Sequence, residues 1–496
     1  MLALPCMLYS MDLTVLNLAV PSLSAGLKPS STQLLWIVDI YGFSVAGLLI
    51  TMGTLGDRIG RRRLLLLGAA AFGIASVLAA FSTSAAMLIA MRAILGVAGA
   101  TLAPSTLSLI RNMFHDAQQR RVAIGIWIAS YSAGAAIGPV LGGVLLQHFW
   151  WGSVFLVSVP VMVLLLVLGP LLLPEFRAPA AGRLDPLSAA LSLAAVLATI
   201  YGIKRLAEGG LAWVPMAAIG AGVALGSVFL RRQKGLDDPM VDLRLFRGPA
   251  FRAALAAYAL ATFVAFGTFV FVAQYMQLVL GFRPMEAGLW SLPFAVAFIV
   301  GSIGTSLLAR RIKPGYVMAG GLIVAAVGFG LLAQIDARSN VVQLVLAFVV
   351  YSLGLAPVFT LATDQIVGCA PPEKAGAASA LSETGSEFGG ALGIAILGSV
   401  GTAIYRGALA DAPLPGLAPD AFESARGTLG AAVSVAQHVD GAVAAVLLAV
   451  ARDAFVAGLQ VSAWISAVVA GATALIVALA LGRRGVAGSR AQARGA

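Results

Sequence analysis

Glu383 and Glu387 stand four residues apart inside a long stretch that is otherwise poor in charge. Helical spacing places both carboxylates on one face. Ser379, Ser382 and Ser386 lie around them, and Gly385, Gly389, Gly390 and Gly393 let a neighbouring helix come close. Two carboxylates that near each other in a low dielectric cannot both ionise cheaply, so the pair can hold a proton near neutral pH. A group that holds either a proton or an organic cation makes the two compete for one charge, which is the chemistry of exchange. The alternative is a solvated glutamate in an aqueous vestibule. Asp12, Asp39 and Arg92 also fall in apolar stretches. A charged side chain at mid-bilayer costs about 2.5–3.5 kcal/mol on insertion scales, so each asks for a reason. Asp12, near the middle of its stretch, suits a proton or cation site, with a structural hydrogen-bond acceptor as the alternative. Asp39 and Arg92 lie near the same ends of theirs and are expected to form a structural ion pair. The sharper alternative puts Asp39 in a cation path, with Arg92 tuning its charge.

The elements that must position these groups are membrane helices. Of 496 residues, 60% are hydrophobic and 11% charged, against roughly a quarter charged in soluble proteins. Apolar stretches of about 20 residues recur along the chain, and alternating strand patterns are absent. The fold class is therefore an all-α polytopic membrane protein. Spans are expected at 1–23, 35–54, 64–82, 87–109, 121–146, 152–173, 187–206, 211–230, 252–275, 286–308, 315–335, 340–363, 377–404 and 460–481. The first has no basic start and no cleavage site, so it reads as a retained span, and its short lead leaves room for a few residues upstream. The segment 174–186 (Pro174, Pro179, Gly182, Pro186) reads as a hinge. Residues 405–459 read as an external connection ending in a helical hairpin, broken by His438, Asp440, Arg452 and Asp453.

The net charge of +11 invites a nucleic-acid reading, but its placement argues against one. With both termini inside, Lys and Arg favour the cytoplasmic segments by about three to one, as topology requires. Cys6 and Cys369 suggest neither a disulfide nor a metal site. Lys28, Lys204, Lys234, Lys313 and Lys374 each follow a residue other than glycine, which excludes a Gly-Lys phosphate loop. His115, His148 and His438 fall in predicted loops, so no buried base serves a nucleophile. An enzyme and an ATP-driven pump are both disfavoured, no cofactor is expected, and a proton gradient is the expected energy source.

Two motifs speak to movement. Gly125, Gly134, Gly138, Pro139, Gly142 and Gly143 follow the spacing G-x8-G-x3-GP-x2-GG, a helix suited to bending and to close approach by a neighbour. Gly53-x3-Asp57-Arg58-x-Gly60-Arg61-Arg62-Arg63 forms a charged loop between spans two and three. An acid there can engage a helix N-terminus or an arginine in one state and release it in another.

With Asp12-x-Thr14-x2-Asn17-x-Ala19-x-Pro21 and Arg92-x3-Gly96-x2-Gly99-Ala100, these motifs make the chain resemble the fourteen-span drug:proton antiporters of the major facilitator superfamily. Leu95 departs from the pattern where a glutamine is common. The resemblance implies two six-helix bundles, 1–174 and 252–481, with two additional central spans at 187–230 and a cytoplasmic tail at 482–496. It implies a monomeric exporter of lipophilic or quaternary ammonium-type cations, or of antibiotics, in the plasma (inner) membrane. Asp12, Asp39, Glu383 and Glu387 would handle proton and substrate, and Gly53 to Arg62 would form the conformational latch. Trp36, Tyr41, Tyr131, Phe263, Phe266, Phe269, Phe271, Tyr275, Trp290 and Phe388 could offer cation–π contacts. Asp364 is expected to be solvated at a span end. The alternatives are an exporter of one endogenous metabolite or antibiotic, and a proton-coupled symporter.

Overall fold

Away from water, backbone N–H and C=O groups must find partners within the chain, and each long apolar stretch does so as a helix. The computed structural model describes residues 1–177, 185–209, 212–410 and 417–482. Its helices are α1 (Ala3–Leu27), α2 (Ser31–Ile59), α3 (Arg61–Ala80), α4 (Ala85–Met113), α5 (Ala117–His148), α6 (Ser153–Leu156), α7 (Ser158–Leu172), α8 (Pro186–Gly209) and α9 (Trp213–Gln233). They continue as α10 (Pro249–Gln274), α11 (Pro284–Leu308), α12 (Pro314–Leu332), α13 (Val341–Cys369), α14 (Ala375–Ala410), α15 (Pro419–Gly427), α16 (Leu429–Ala436) and α17 (Gly441–Val477). Among the described residues, 13 helices are long and apolar enough to cross a membrane. The 25-residue α1 takes the place of the first expected span.

Local chemistry sets the boundaries. Ser30 and Gln33 form a reciprocal cap that starts α2, and Asp116 accepts from the backbone N–H groups of Gln118 and Gln119 to start α5. Gly60, at φ 112°, makes the sharp turn from α2 into α3.

One apolar core joins α1–α4 with α6 and α7; a second is built mainly from α10–α14 and α17. The two halves repeat one plan, with α1 against α5 in the first and α10 against α14 in the second. The bundles meet through α5 against α11 and α2 against α14. The central pair α8 and α9 lies to one side, with α8 touching both α2 and α14.

The last span differs from expectation. α17 runs unbroken for 37 residues, about 55 Å at 1.5 Å per residue, well beyond a hydrocarbon core of about 30 Å. The second half of the expected hairpin is therefore the leading part of α17. Arg452 does not break it, because its Nε donates to the Leu278 carbonyl at 3.2 Å. His438 and Asp440 do fall in the turn before α17, and α15 and α16 form the short pair preceding it. Pro179, Gly182, Pro413, Pro415 and residues 483–496 of the tail lie outside the described residues, as do the side chains of Thr14, Asn17, Pro21 and Pro139.

Candidate functional site

Charged side chains collect in three places: midway along the bundles, at an arginine-rich end, and toward the opposite end. The first is built on α1, α2, α4, α5 and α14. Glu383 and Glu387 lie about two to three and a half turns into α14, and each keeps partial exposure, so they face the space between the bundles. The Tyr9 hydroxyl on α1 donates to Glu387 Oε1 at 3.0 Å, linking one bundle to the other. Tyr9 sits 6.1 Å from Tyr41 and 6.0 Å from Tyr131, ring centre to ring centre. Tyr258 of α10 neighbours Glu383, yet Glu383 Oε1 is buried without a hydrogen bond. A buried carboxyl oxygen left unpaired is costly unless a proton or cation completes it.

Asp12 is held differently. Arg92 Nη1 donates to Asp12 Oδ2 at 2.5 Å, Arg92 Nε donates to the Ile37 carbonyl at 3.2 Å, and the guanidinium lies 4.6 Å from the Tyr41 ring centre. Arg92 is 1% exposed. The expected pairing of Arg92 with Asp39 is thus replaced. Asp39 lies on the side of α2 toward α8, where Lys204 Nζ donates to its Oδ1 at 2.5 Å.

The arginine-rich end joins the two bundles. Asp57, at the end of α2, accepts from Arg61 Nε at 2.9 Å and Nη2 at 2.8 Å. It also accepts the backbone N–H groups of Gly376 at 3.0 Å and Ala377 at 3.1 Å, and so caps the N-terminus of α14. Arg61 Nη2 reaches the Pro372 carbonyl at 2.6 Å. Gly53 faces the Gly376 carbonyl, and a Cβ there would have only 2.5 Å. Arg58 pairs with Asp238 in the α9–α10 connection at 2.9 Å. Arg62 is partly exposed, and its backbone N–H and that of Arg63 both donate to Glu175 at 3.1 Å. Asp364 corrects its expectation: it is 4% exposed and pairs with Arg120 at 2.7 Å and Arg121 at 3.2 Å. The start of α5 carries those arginines to the bundle interface, so Asp364 on α13 meets them instead of water.

The glycine frame on α5 packs against α1 of its own bundle and α11 of the other. Gly125 faces Ser302 and Ser306 of α11, Gly134 abuts the Met7 backbone of α1, and Gly143 approaches Met285 of α11. Gly138 and Gly142 are buried, and α5 is continuous through the frame. Among the aromatic residues singled out from sequence, Tyr41 and Tyr131 join the central cluster. Tyr275 instead bonds the Asp336 carbonyl at 2.7 Å, and Phe271 packs on Phe455. Several participants carry no mark in the sequence motifs: Tyr9, Arg120, Arg121, Glu175, Lys204, Asp238 and Tyr258. Tyr9 does have a local signal, since it stands three residues before Asp12 and shares its helical face.

A family model described as Major Facilitator Superfamily matches residues 2–394. The chain is 44% identical over 482 residues to the "Multidrug efflux pump LfrA" of Mycolicibacterium smegmatis, covering 97% of this chain and 95% of that one. It is 37% identical to the "Methyl viologen resistance protein SmvA" of Salmonella typhimurium, covering 90% of each. It is 32% identical to the "Tetracenomycin C resistance and export protein" of Streptomyces glaucescens, covering 96% of this chain and 89% of that one. In fold it is similar to the human organic anion transporter MFSD10, with TM-score 0.63 at 16% identity, covering 96% and 97% of the two chains.

Proposed function

The chain belongs to the Major Facilitator Superfamily, and on that premise we propose that it exports lipophilic cations in exchange for protons, by alternating access across the plasma membrane. It is a multi-pass membrane transporter and not an enzyme. The observation that carries the finer reading is the Glu383–Glu387 pair, where one buried oxygen lacks a partner and another has a single phenol. Such a pair can be completed by a proton or by an ammonium-type cation, and each excludes the other.

In the proposed cycle the basic end faces the cytoplasm. With the Asp57 and Asp364 contacts formed, access from that side is closed and the central site is offered outward. External protons neutralise a glutamate and release the cation. Protonation removes the charge that held the cation, the latch opens, and the proton leaves inward as a new cation binds. The glycine frame supports this rocking because it lets α5 slide against α1 and α11 without side chains in the way.

A second reading has one specific support. The Streptomyces glaucescens relative is named for export of one antibiotic, so a single antibiotic is the alternative cargo. Gradient-driven ethidium efflux from energised cells tests the choice, with wild type beside Glu383→Gln and Glu387→Gln. Efflux in wild type and its loss in both variants at equal membrane expression support cation exchange. Absence of any cation efflux from wild type overturns it and favours the single-antibiotic exporter.

A further inference from the structure

Lys204 sits where its sequence neighbours give no reason for a functional role, on a central helix outside both bundles. Its ammonium nevertheless occupies a built cation environment. Asp39 Oδ1 accepts from it at 2.5 Å, and the Phe43 ring centre lies 4.8 Å away. Trp36 stands 6.4 Å from Phe43, ring centre to ring centre, and is 43% exposed, so it forms a rim. A carboxylate beside aromatic faces is the chemistry that recognises quaternary and aromatic cations. Leu193 and Leu197 of α8 press against Gly47 of α2 and hold the two helices in register for this contact.

The place is continuous with the central site. Phe43 and Phe388 both pack on the small core of Ala46, Val196 and Ile200, and Phe388 follows Glu387 directly on α14. Asp39 lies about two turns into α2, toward the end opposite the arginine cluster. Both partners of the ion pair are partly exposed, at 38% for Lys204 and 26% for Asp39, and pairs so exposed hold weakly. We propose that Asp39, Phe43 and Trp36 form an outer binding site for lipophilic ammonium-type cations, filled here by the tethered ammonium of Lys204. A cation leaving the Glu383–Glu387 site displaces the lysine and occupies this site in passing. Return of the lysine then expels it, so the central helices supply a competitor that keeps the exit from retaining cargo. This inference rests on the cation reading given above.

Binding of radiolabelled tetraphenylphosphonium to the full chain in lipid nanodiscs tests it. Lys204→Ala is expected to raise apparent affinity by about threefold to fivefold, the scale of an exposed ion pair. Adding Asp39→Asn or Phe43→Leu should cancel that gain, and Lys204→Arg should match wild type. In a Glu383→Gln/Glu387→Gln background, Lys204→Ala should restore a binding site that Asp39→Asn removes. Should Lys204→Ala not fold, Lys204→Gln beside Lys204→Arg provides the same contrast. If wild type binds the probe and neither the alanine nor the glutamine variant differs from it, the outer site is overturned while the central cation site stands. If neither wild type nor any variant binds the probe and wild type shows no cation efflux, the cation reading falls and the outer site falls with it.

Discussion

Asp12 on α1 and Glu383 on α14 are both carboxylates in apolar helices, yet they are held in opposite ways. Asp12 has an arginine at 2.5 Å, and that arginine is further engaged by the Ile37 carbonyl and the Tyr41 ring. Glu383 has a buried oxygen with no partner, and Glu387 has one phenol. A paired buried charge is satisfied by the chain itself, and removing one partner strands the other. An unpaired one is satisfied by whatever arrives. On the proposed exchange, the difference would make the Asp12–Arg92 pair structural and leave proton and cation to the glutamates, with Tyr9 standing between the two.

The largest effect expected from this contrast is on transport. Glu383→Gln/Glu387→Gln should reduce gradient-driven efflux to the background of cells lacking the protein, while folded yield holds or rises. Neutralising these carboxylates removes a desolvation cost and strands no charged partner, and a glutamine oxygen at 387 can still accept from Tyr9. Equal loss of folded protein and efflux would break the comparison. Arg92→Ala should do the reverse: breaking a buried pair costs about 3–5 kcal/mol, so thermal unfolding in detergent should come at markedly lower temperature. The double change Asp12→Asn/Arg92→Gln should recover much of that stability. A stable Arg92→Ala protein would return Asp12 to the list of exchange sites.

The same contrast explains which parts of the molecule are legible in its sequence. Composition and apolar length establish the helical membrane class, and spacing places Glu383 and Glu387 on one face, because both properties are local to a helix. The latch is legible as an acid near a helix end, since Asp57 and its arginine partner Arg61 are four residues apart. The partners of Asp39, Arg92 and Asp364 are not legible. Each pairs across at least 80 positions of chain, as in Asp12 with Arg92, Asp39 with Lys204 and Asp364 with Arg120. Which helix faces which is set by packing, and periodicity within one helix carries no trace of it. The last span misleads for a related reason: Arg452 reads as a helix break, because its Leu278 partner lies 174 positions away.

A smaller effect should separate the two contacts of the arginine-rich end. Asp57 ends a buried network of one arginine and two backbone N–H groups, whereas Asp364 holds two partly exposed arginines. Losing a charged hydrogen-bond acceptor costs about 1–3 kcal/mol, and when the contact exists in one state alone this is a population shift of roughly 5- to 150-fold. Asp57→Asn should lie toward the upper end and Asp364→Asn toward the lower. Ala380, fully buried behind the latch against Gly53, supplies the readout. In a Cys369→Ser background, Ala380→Cys should react with maleimide fastest with Asp57→Asn, more slowly with Asp364→Asn, and slowest with both acids intact. Equal rates would mean that the two contacts open together.

The smallest effect concerns a carboxylate at the other extreme from Glu383, one lying outside the membrane and fully partnered. Asp185, just before α8, accepts from Arg232 Nε at 2.7 Å and from the Ser188 hydroxyl at 2.6 Å. The Arg232 hydrogen bond, followed by that from Ser188, holds its carboxyl well below the usual carboxylate range. Its folded form therefore binds a proton less readily than its unfolded form, whose value is about 3.9. The resulting stability is fully present above that value and is lost as pH falls toward the folded one. Unfolding followed from pH 6 to pH 2 (about the range the linkage spans) should show a shallower acid decline for Asp185→Asn than for wild type. Because Asp185 faces solvent, the difference should be small. At neutral pH the variant should export as wild type does, since a carboxylate satisfied by its own neighbours has nothing to exchange.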